Sequence, residues 1–307
     1  MRRWPKKDRP RSKDDGKMNV KTMETSILQA RQKDLESPVS EYPSLPPLPS
    51  PRGRDKRTLM LLLTPILLTA VLIFALILVS PRATSPTTQQ LTSSNWSGYC
   101  VASDLNTPQP QVTSLSASWT VPAVSVSIGN SYSAAWIGVG GQFDKTLIQA
   151  GTEQDSIDGR EVYTAWYELL PRDAVTIDSL SISSGDKITG SISLSNQTAN
   201  TWLIEITDVT NGQSFEKSIV YVSSMLSAEW IVEAPMLVNR VATLANFGQI
   251  TFTDCKATIG GVTGTINSFP SGQITLNGRQ HVELATVSTY TSGGSSFTVN
   301  YDGWQNT

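Results

Sequence analysis

The stretch Ala228–Pro235 (AEWIVEAP) carries two carboxylic acids at a spacing that suits a β-strand. With a period of two, Glu229, Ile231 and Glu233 lie on one face, and apolar residues lie on the other. Burying a carboxylate is costly unless it is paired or used. The segment is therefore either an edge strand with a solvated acidic face or the support of a functional carboxylate.

The residue inventory excludes several kinds of catalytic site. His281 is the only histidine, so a Ser-His-Asp or Cys-His arrangement would have to use it, and the sequence has no GxSxG motif. A catalytic zinc usually has two or three histidine ligands, and a four-thiolate site needs more than the two cysteines present. The glycines around Gly138 lack the spacing of a phosphate-binding loop. The sequence therefore predicts no metal and no cofactor, and it leaves the chemistry to carboxylates and amides.

Three further residues could work with these acids. The segment 162–169 reads as a strand that places Trp166 and Glu168 on one face, and a tryptophan beside a carboxylate suits the floor of a cleft for a peptide or a sugar. Gln149 is an internal amide in another alternating segment. The structural alternative is ordinary strand patterning with an exposed acid and a buried amide.

The elements that must position these residues are short strands. From residue 93 onward, alternating segments recur roughly every ten to fifteen residues and are separated by turn signals such as Asn211-Gly212 and Asn277-Gly278. About fourteen such segments predict an all-β domain over residues 93–307, a two-sheet antiparallel β-sandwich of the concanavalin-like jelly-roll type.

Three segments are predicted to precede this domain. Residues 1–57 are rich in Lys, Arg, Ser and Pro, which is typical of a disordered tail. Residues 58–80 contain the uncharged run Leu59–Val79, which would be about 31 Å long as a helix and predicts a transmembrane signal anchor. Residues 81–92 read as a polar stalk. Because the basic residues precede the span, the tail is expected in the cytoplasm and the β domain outside the cell.

The charge and the cysteines bear on partners and compartment. From residue 82 onward the chain holds nine of the 24 Lys and Arg but eighteen of the 26 Asp and Glu, which disfavours nucleic-acid binding. Cys100 and Cys255 both fall on the external side, where one disulfide between them is permitted. We expect a monomer that contacts the membrane only through residues 58–80.

Seven segments in order across Ser93–Cys255 together resemble the glutamic peptidases (the eqolisin, or G1, family). Each is weak alone; in chain order they are NWSGY (95–99), ASWTVP (117–122), AWIG (135–138), LIQAGT (147–152), YTAWYE (163–168), AEWIVEAP (228–235) and LANFG (244–248).

The resemblance implies a β-sandwich curved around a substrate groove, and an endopeptidase active at acidic pH on protein or peptide substrates without metal or cofactor. It implies that Gln149 and Glu233 form the catalytic dyad. The groove positions implied are Trp136, Trp166 and Glu168, while Glu229 is expected only to support Glu233. In this reading Glu233 deprotonates a water held between it and Gln149, and the Gln149 amide donates to the developing oxyanion.

The sequence departs from the family pattern at three points. Gly140 stands where fungal members have an aspartate, Leu169 stands where they have a tryptophan, and the chain has fewer cysteines. The missing aspartate puts one support of the dyad, and the pH optimum, in question. Because an amide does not titrate, pairing Glu233 with Gln149 predicts a base whose pKa stays low enough for it to be ionised at acidic pH.

Two other function classes fit the same residues. A non-catalytic, concanavalin-like module could grip a glycan or a peptide through Trp136 and Trp166. A glycan hydrolase could use Glu168 and Glu233 as its acid pair.

Overall fold

The computed structural model describes residues 86–237, 240–291 and 293–303, which form eighteen strands and two short 3₁₀ segments (Ile266–Ser268 and Arg279–His281). The strands are β1 (Thr88–Ser93), β2 (Trp96–Ala102), β3 (Val112–Thr120), β4 (Ala134–Gly140), β5 (Leu147–Ile157), β6 (Arg160–Leu169), β7 (Val175–Thr176), β8 (Lys187–Asn196), β9 (Thr201–Asp208), β10 (Gln213–Val220), β11 (Ser227–Glu233), β12 (Met236–Leu237), β13 (Arg240–Val241), β14 (Gln249–Ile259), β15 (Val262–Gly264), β16 (Ser271–Asn277), β17 (Glu283–Val287) and β18 (Phe297–Tyr301).

The predicted tail and anchor lie outside the described residues. Within the described ranges, none of the helical segments has the length and apolarity needed to cross a membrane.

One hydrogen-bonded path connects most of the strands, in the order β10-β9-β8-β3-β14-β18-β17-β16-β2-β11-β4-β5-β6-β7. The path folds over so that β3 and β8 pack against β4, and β11 packs against β3 and β14. The all-β prediction is confirmed, and the two packed layers agree with a β-sandwich. The layers are joined at one edge through β17 and β18, and the pairing along the path is antiparallel.

The main hydrophobic core lies between the two layers. Trp119, Trp202 and Phe252 are fully buried there, and Trp230 and Val232 of β11 point into the same core. Each such side chain contributes about 1.5–3 kcal/mol by leaving water. Because side chains alternate along β11, one face of the strand packs in this core. Glu229, Ile231 and Glu233 lie on the opposite face, as the period of two predicts.

Strand β1 corrects the predicted boundary of the folded domain. Residues 88–92 were expected to belong to the stalk, but Thr88–Ser93 pair in parallel with Ser271–Leu276 of β16. Side chains reinforce the pairing, because Thr88 Oγ1 lies 2.9 Å from Ser271 Oγ and Gln90 Nε2 donates to Gln273 Oε1 at 2.7 Å. The Thr- and Gln-rich composition suggested a polar stalk, whereas these side chains form a ladder with matching residues distant in sequence.

The two cysteines do not form the disulfide that the sequence permits. Both are free and buried, and they belong to different hydrophobic clusters. Cys255 lies in the core between the layers, while Cys100 packs with Ile231 and Ile274 on the other face of its sheet. Burial raises the pKa of the Cys100 thiol to about 12.

Candidate active site

The outward face of the layer β16-β2-β11-β4-β5-β6 carries three rows of side chains that cross the strands. The strand register defines a Gln149 row (Gly272, Cys100, Glu229, Gly138, Gln149, Glu168), a Trp136 row (Ile274, Gly98, Ile231, Trp136, Gly151, Trp166) and a Glu233 row (Trp96, Glu233, Ala134, Glu153, Thr164). The middle row is apolar, and each outer row contains carboxyl groups. An apolar floor flanked by two polar rows suits an extended peptide.

Glu233, the last residue of β11, is held by two side-chain donors. Its Oε2 accepts a hydrogen bond from Trp136 Nε1 at 2.8 Å, and its Oε1 accepts one from Asn95 Nδ2 at 2.8 Å. Burial raises the pKa of Glu233 to about 7, although these donors favour the charged form and act in the opposite direction. This value differs from the low pKa expected from the sequence.

Gln149 is buried on β5 and is oriented by Glu168 of the neighbouring strand. Its Nε2 donates to Glu168 Oε2, while its Oε1 has no hydrogen-bond partner among the described residues. The amide nitrogen carries two hydrogens, so one N–H remains for another acceptor. Burial raises the pKa of Glu168, and the hydrogen bond from Gln149 opposes this effect.

Gln149 and Glu233 share the face but do not touch each other. They lie two rows apart on strands separated by β4, and Trp136 occupies the row between them. The negative charge of Glu168 contributes to raising the pKa of Glu233, so the two outer rows are within electrostatic range of each other. A group seated over Trp136 would therefore have Gln149 on one side and Glu233 on the other.

Glu229 is the fully buried acid of this face. Burial raises its pKa well above the usual range. A Cβ added to its neighbour Gly138 would lie 2.9 Å from both Trp136 Cζ3 and Leu147 Cδ1, so those side chains close the space beside it. Glu229 thus lies in the floor, and Glu233 is the acid presented to the groove.

Asn95 and Trp96 also belong to the site, and no role for them is predicted from the sequence. The Trp96 ring contacts the Trp136 ring edge to face, with centroids 5.0 Å apart. It extends as far as Gly141, where an added Cβ would lie 3.2 Å from both Trp96 Cη2 and Leu147 Cδ2. The usable signal was the Asn-Trp pair at the start of β2, but nothing in one sequence places it against Glu233. Trp166, expected in the groove, is buried in the Trp136 row with its Nε1 unpaired within the described ranges.

Gly140 explains one departure from the family pattern. Its φ of +89° is strained for a residue with a side chain, and a Cβ there would lie 2.4 Å from the carbonyl oxygen of Thr146. The backbone at this position therefore has no room for an aspartate.

Two more acids extend the groove along β5. Thr164 Oγ1 donates to Glu153 Oε2 at 2.9 Å, and burial raises the pKa of Glu153. Burial, reinforced by the charge of Glu153, raises the pKa of Asp155 to about 7. In the part of the chain that the structure describes, no group of three or more His, Cys, Asp or Glu side chains is arranged to hold a metal ion.

Comparisons with known proteins indicate the family of this chain. The model of the Peptidase A4 family matches residues 94–301. The chain is 29% identical to aspergillopepsin-2 of Aspergillus niger over 239 residues, which are 70% of this chain and 80% of that protein. It is 28% identical to scytalidopepsin B of Scytalidium lignicola over 214 residues, or 65% of this chain and 76% of that protein. A solved structure of scytalido-glutamic peptidase with a transition state analog inhibitor is similar in fold, with a TM-score of 0.58 at 21% identity over 68% of this chain and 98% of that one.

Proposed function

Because this chain belongs to the Peptidase A4 family of glutamic peptidases, enzymes that hydrolyse peptide bonds, we propose that Glu233 and Gln149 are the catalytic pair of an acid endopeptidase. The observation that carries the proposal is the hydrogen bonding around Glu233. Two fixed donors, Asn95 and Trp136, hold the carboxylate, and across Trp136 the amide of Gln149 keeps one N–H and its oxygen unpaired.

The proposed reaction uses one water and no covalent intermediate. A substrate peptide lies over the Trp136 row, and a water hydrogen-bonded to Glu233 loses a proton to that carboxylate as its oxygen attacks the scissile carbonyl carbon. The free N–H of Gln149 donates to the oxyanion, a contact typically worth about 3–4 kcal/mol in the transition state. Protonated Glu233 then delivers its proton to the leaving nitrogen as the C–N bond breaks, which restores the starting charge state.

The raised pKa of Glu233 shapes the expected pH dependence. With a pKa of about 7, roughly one site in a hundred is ionised at pH 5, about one in ten at pH 6 and about half at pH 7. A carboxylate with this pKa is also a stronger base than an ordinary one, which suits proton abstraction near its pKa. We therefore expect activity to fall as the pH is lowered below about 7 and the base becomes protonated.

We also propose that residues 58–80 anchor the enzyme in the cell membrane with the catalytic domain outside. The uncharged 21-residue run Leu59–Val79 and the basic residues just before it support this topology. Protease treatment of intact cells that express the full chain tests it. Digestion of the β domain with protection of a tag on residue 1 supports the topology, and protection of both ends contradicts it.

The activity test uses the full-length chain with a denatured protein substrate between about pH 3 and 8, in the presence of an inhibitor of aspartic peptidases. Glu233→Gln and Gln149→Ala should each lose at least about a hundredfold in kcat/KM. Glu216→Gln, an exposed residue of β10 in the opposite layer, should behave as wild type and serves as the matched control.

Undiminished cleavage by either dyad variant would remove that residue from the mechanism. Binding of peptides or sugars without any cleavage would favour a binding module. Cleavage of glycans that is lost in Glu168→Gln but kept in Gln149→Ala would favour a glycan hydrolase.

A further inference from the structure

The side chain of Ser93, the last residue of β1, is hydrogen-bonded to a residue that holds Glu233. Its Oγ accepts hydrogen bonds from the backbone N–H groups of Asn95 at 3.3 Å and of Trp96 at 3.2 Å, and it donates one to Asn95 Oδ1 at 3.2 Å. A hydroxyl has one hydrogen to donate and two lone pairs that can accept. Ser93 therefore uses its full hydrogen-bonding capacity on the turn that leads from β1 into β2.

This pattern determines which way round the Asn95 amide lies. Backbone N–H groups occupy both lone pairs of the Ser93 hydroxyl, so its hydrogen points at the amide oxygen of Asn95. The amide nitrogen is then the atom turned towards Glu233, and it donates to Glu233 Oε1 at 2.8 Å. Turning the amide by half a rotation would place its oxygen against a carboxylate, which only accepts, and would break both hydrogen bonds. Ser93, Asn95 and Glu233 thus form a chain of hydrogen bonds that ends on the proposed base.

Strand β1 holds Ser93 from outside the region that the family model matches. That match begins at residue 94, one residue after the strand ends. Ser93 lies opposite Leu276 in the parallel pairing with β16, and the Thr88 and Gln90 contacts described above fix the same register. The position of the hydroxyl therefore depends on a strand that lies before the family-matched region.

The protonation of Glu233 depends on few groups besides its donors. The adjoining strands β2 and β4, like β1, contain no Asp, Glu, Lys, Arg or His. The acids on the same face are Glu229 of β11 itself, Glu153 of β5 and Glu168 of β6. Burial has the largest effect on the pKa of Glu233, and the hydrogen bond from Asn95 lowers that pKa by more than the charge of Glu168 raises it. The pH at which Glu233 ionises therefore reports whether the Asn95 amide is turned towards it.

We propose that Ser93 is a positioning residue for the reaction: its hydroxyl orients the Asn95 amide, and the oriented amide holds the Glu233 carboxylate by donating to it. This inference rests on the proposed function, because it takes Glu233 to be the base. It also gives β1 a role beyond the stability of the fold, since this strand carries the first member of the hydrogen-bond chain.

The test is the pH dependence of kcat/KM for the full-length enzyme on one peptide substrate, for wild type, Ser93→Ala and Ser93→Thr. Without the hydroxyl the amide can turn over for part of the time, and Glu233 then loses its Asn95 donor. A hydrogen bond to a charged group corresponds to about one to two pH units in a pKa. Ser93→Ala should therefore raise the midpoint of the acid limb by about 0.5–1 pH unit, which lowers kcat/KM about 3- to 10-fold below the midpoint. Ser93→Thr keeps a hydroxyl and should retain the wild-type midpoint.

Two further arms identify the route by which Ser93 acts. Ser94→Ala is the matched control, because Ser94 is exposed and its side chain forms no hydrogen bond within the described part of the chain, so its profile should match the wild type. In an Asn95→Ala background, Ser93→Ala should produce no further shift of the midpoint, because the hydroxyl acts through the amide that has been removed.

The readout is the midpoint of the acid limb and not its height, so a smaller folded fraction of a variant does not alter it. A Ser93→Ala variant that loses activity equally at every pH would overturn the positioning role and leave the proposed function intact. A further shift in the Asn95→Ala background, or an equal shift in Ser94→Ala, would overturn it as well. Cleavage that survives Glu233→Gln would instead overturn the proposed function, and this inference with it.

Discussion

Replacing Trp136 with phenylalanine tests whether Glu233 is the base. The substitution keeps a ring in the Trp136 row but removes the Nε1 hydrogen that Glu233 Oε2 accepts at 2.8 Å. Since that donor favours the carboxylate over the carboxylic acid, its loss should raise the pKa of Glu233. Asn95 still donates to the other oxygen, so the carboxylate keeps its position.

The size of the effect follows from the kind of hydrogen bond. A bond to a charged group typically contributes about 1.5–3 kcal/mol, and each 1.36 kcal/mol corresponds to about one pH unit in a pKa. The pKa of Glu233 should therefore rise from about 7 to about 8 or 9. At a fixed acidic pH the ionised fraction then falls about 10- to 100-fold, and kcat/KM should fall with it.

The measurement is kcat/KM across the pH range for the wild type and Trp136→Phe, with Trp230→Phe as the control. Trp230 is also fully buried, and its Nε1 donates to the Ser116 carbonyl oxygen at 3.0 Å, but it faces the core between the layers. Trp230→Phe should lower stability and leave the midpoint of the acid limb in place. If Trp136→Phe lowers activity equally at every pH, or if both variants move the midpoint alike, Glu233 is not the titrating base.

Three other substitutions test neighbouring parts of the site. Glu168→Gln should lower kcat about tenfold with a smaller change in KM, because Gln149 loses the charged acceptor that orients it; an equal loss in Glu216→Gln would contradict this. Gly140→Asp should destabilise the fold by about 1–3 kcal/mol in urea unfolding, without improving activity, because the added side chain meets the Thr146 carbonyl at a positive φ; unchanged stability would show that the backbone adapts. Asp155→Asn should leave the free energy of unfolding at pH 4 nearly unchanged. At pH 8, where the wild-type carboxyl is charged and buried, it should raise that free energy by about a few kcal/mol. Equal effects at both pH values would refute the raised pKa of Asp155.

The period of two on β11 predicted which face Glu229 and Glu233 share, because alternation is a local property of a strand. The difference between the two acids could not be predicted this way. Glu229 is fully buried beside Gly138 of β4, a strand that lies far from β11 in the sequence. The resemblance implies Glu233 by position, and the complete burial of Glu229 agrees with that proposal.

Strand β1 could not be predicted from the composition of residues 81–92. Thr, Gln and Ser are common in polar linkers, and a parallel pairing partner almost two hundred residues away leaves no local signal. The absence of a disulfide could not be predicted for a related reason. Cys100 and Cys255 face different hydrophobic clusters, and only the tertiary arrangement shows this. In both cases the missing information was the packing of strands that are far apart in the chain.

The protonation of the groove acids changes with pH, and it affects both the stability of the fold and the expected activity. Burial raises the pKa of Glu153, Glu168 and Glu229, and it raises those of Asp155 and Glu233 to about 7. The folded state therefore keeps protons that the unfolded chain loses near pH 4, so these groups favour folding fully below about pH 4 and progressively less as the pH rises towards 7. The ionised fraction of Glu233 increases over the same interval. With Glu233 as the proposed base, raising the pH towards 7 therefore increases the ionised fraction that catalysis needs while it removes the stabilisation that the protonated acids give the fold.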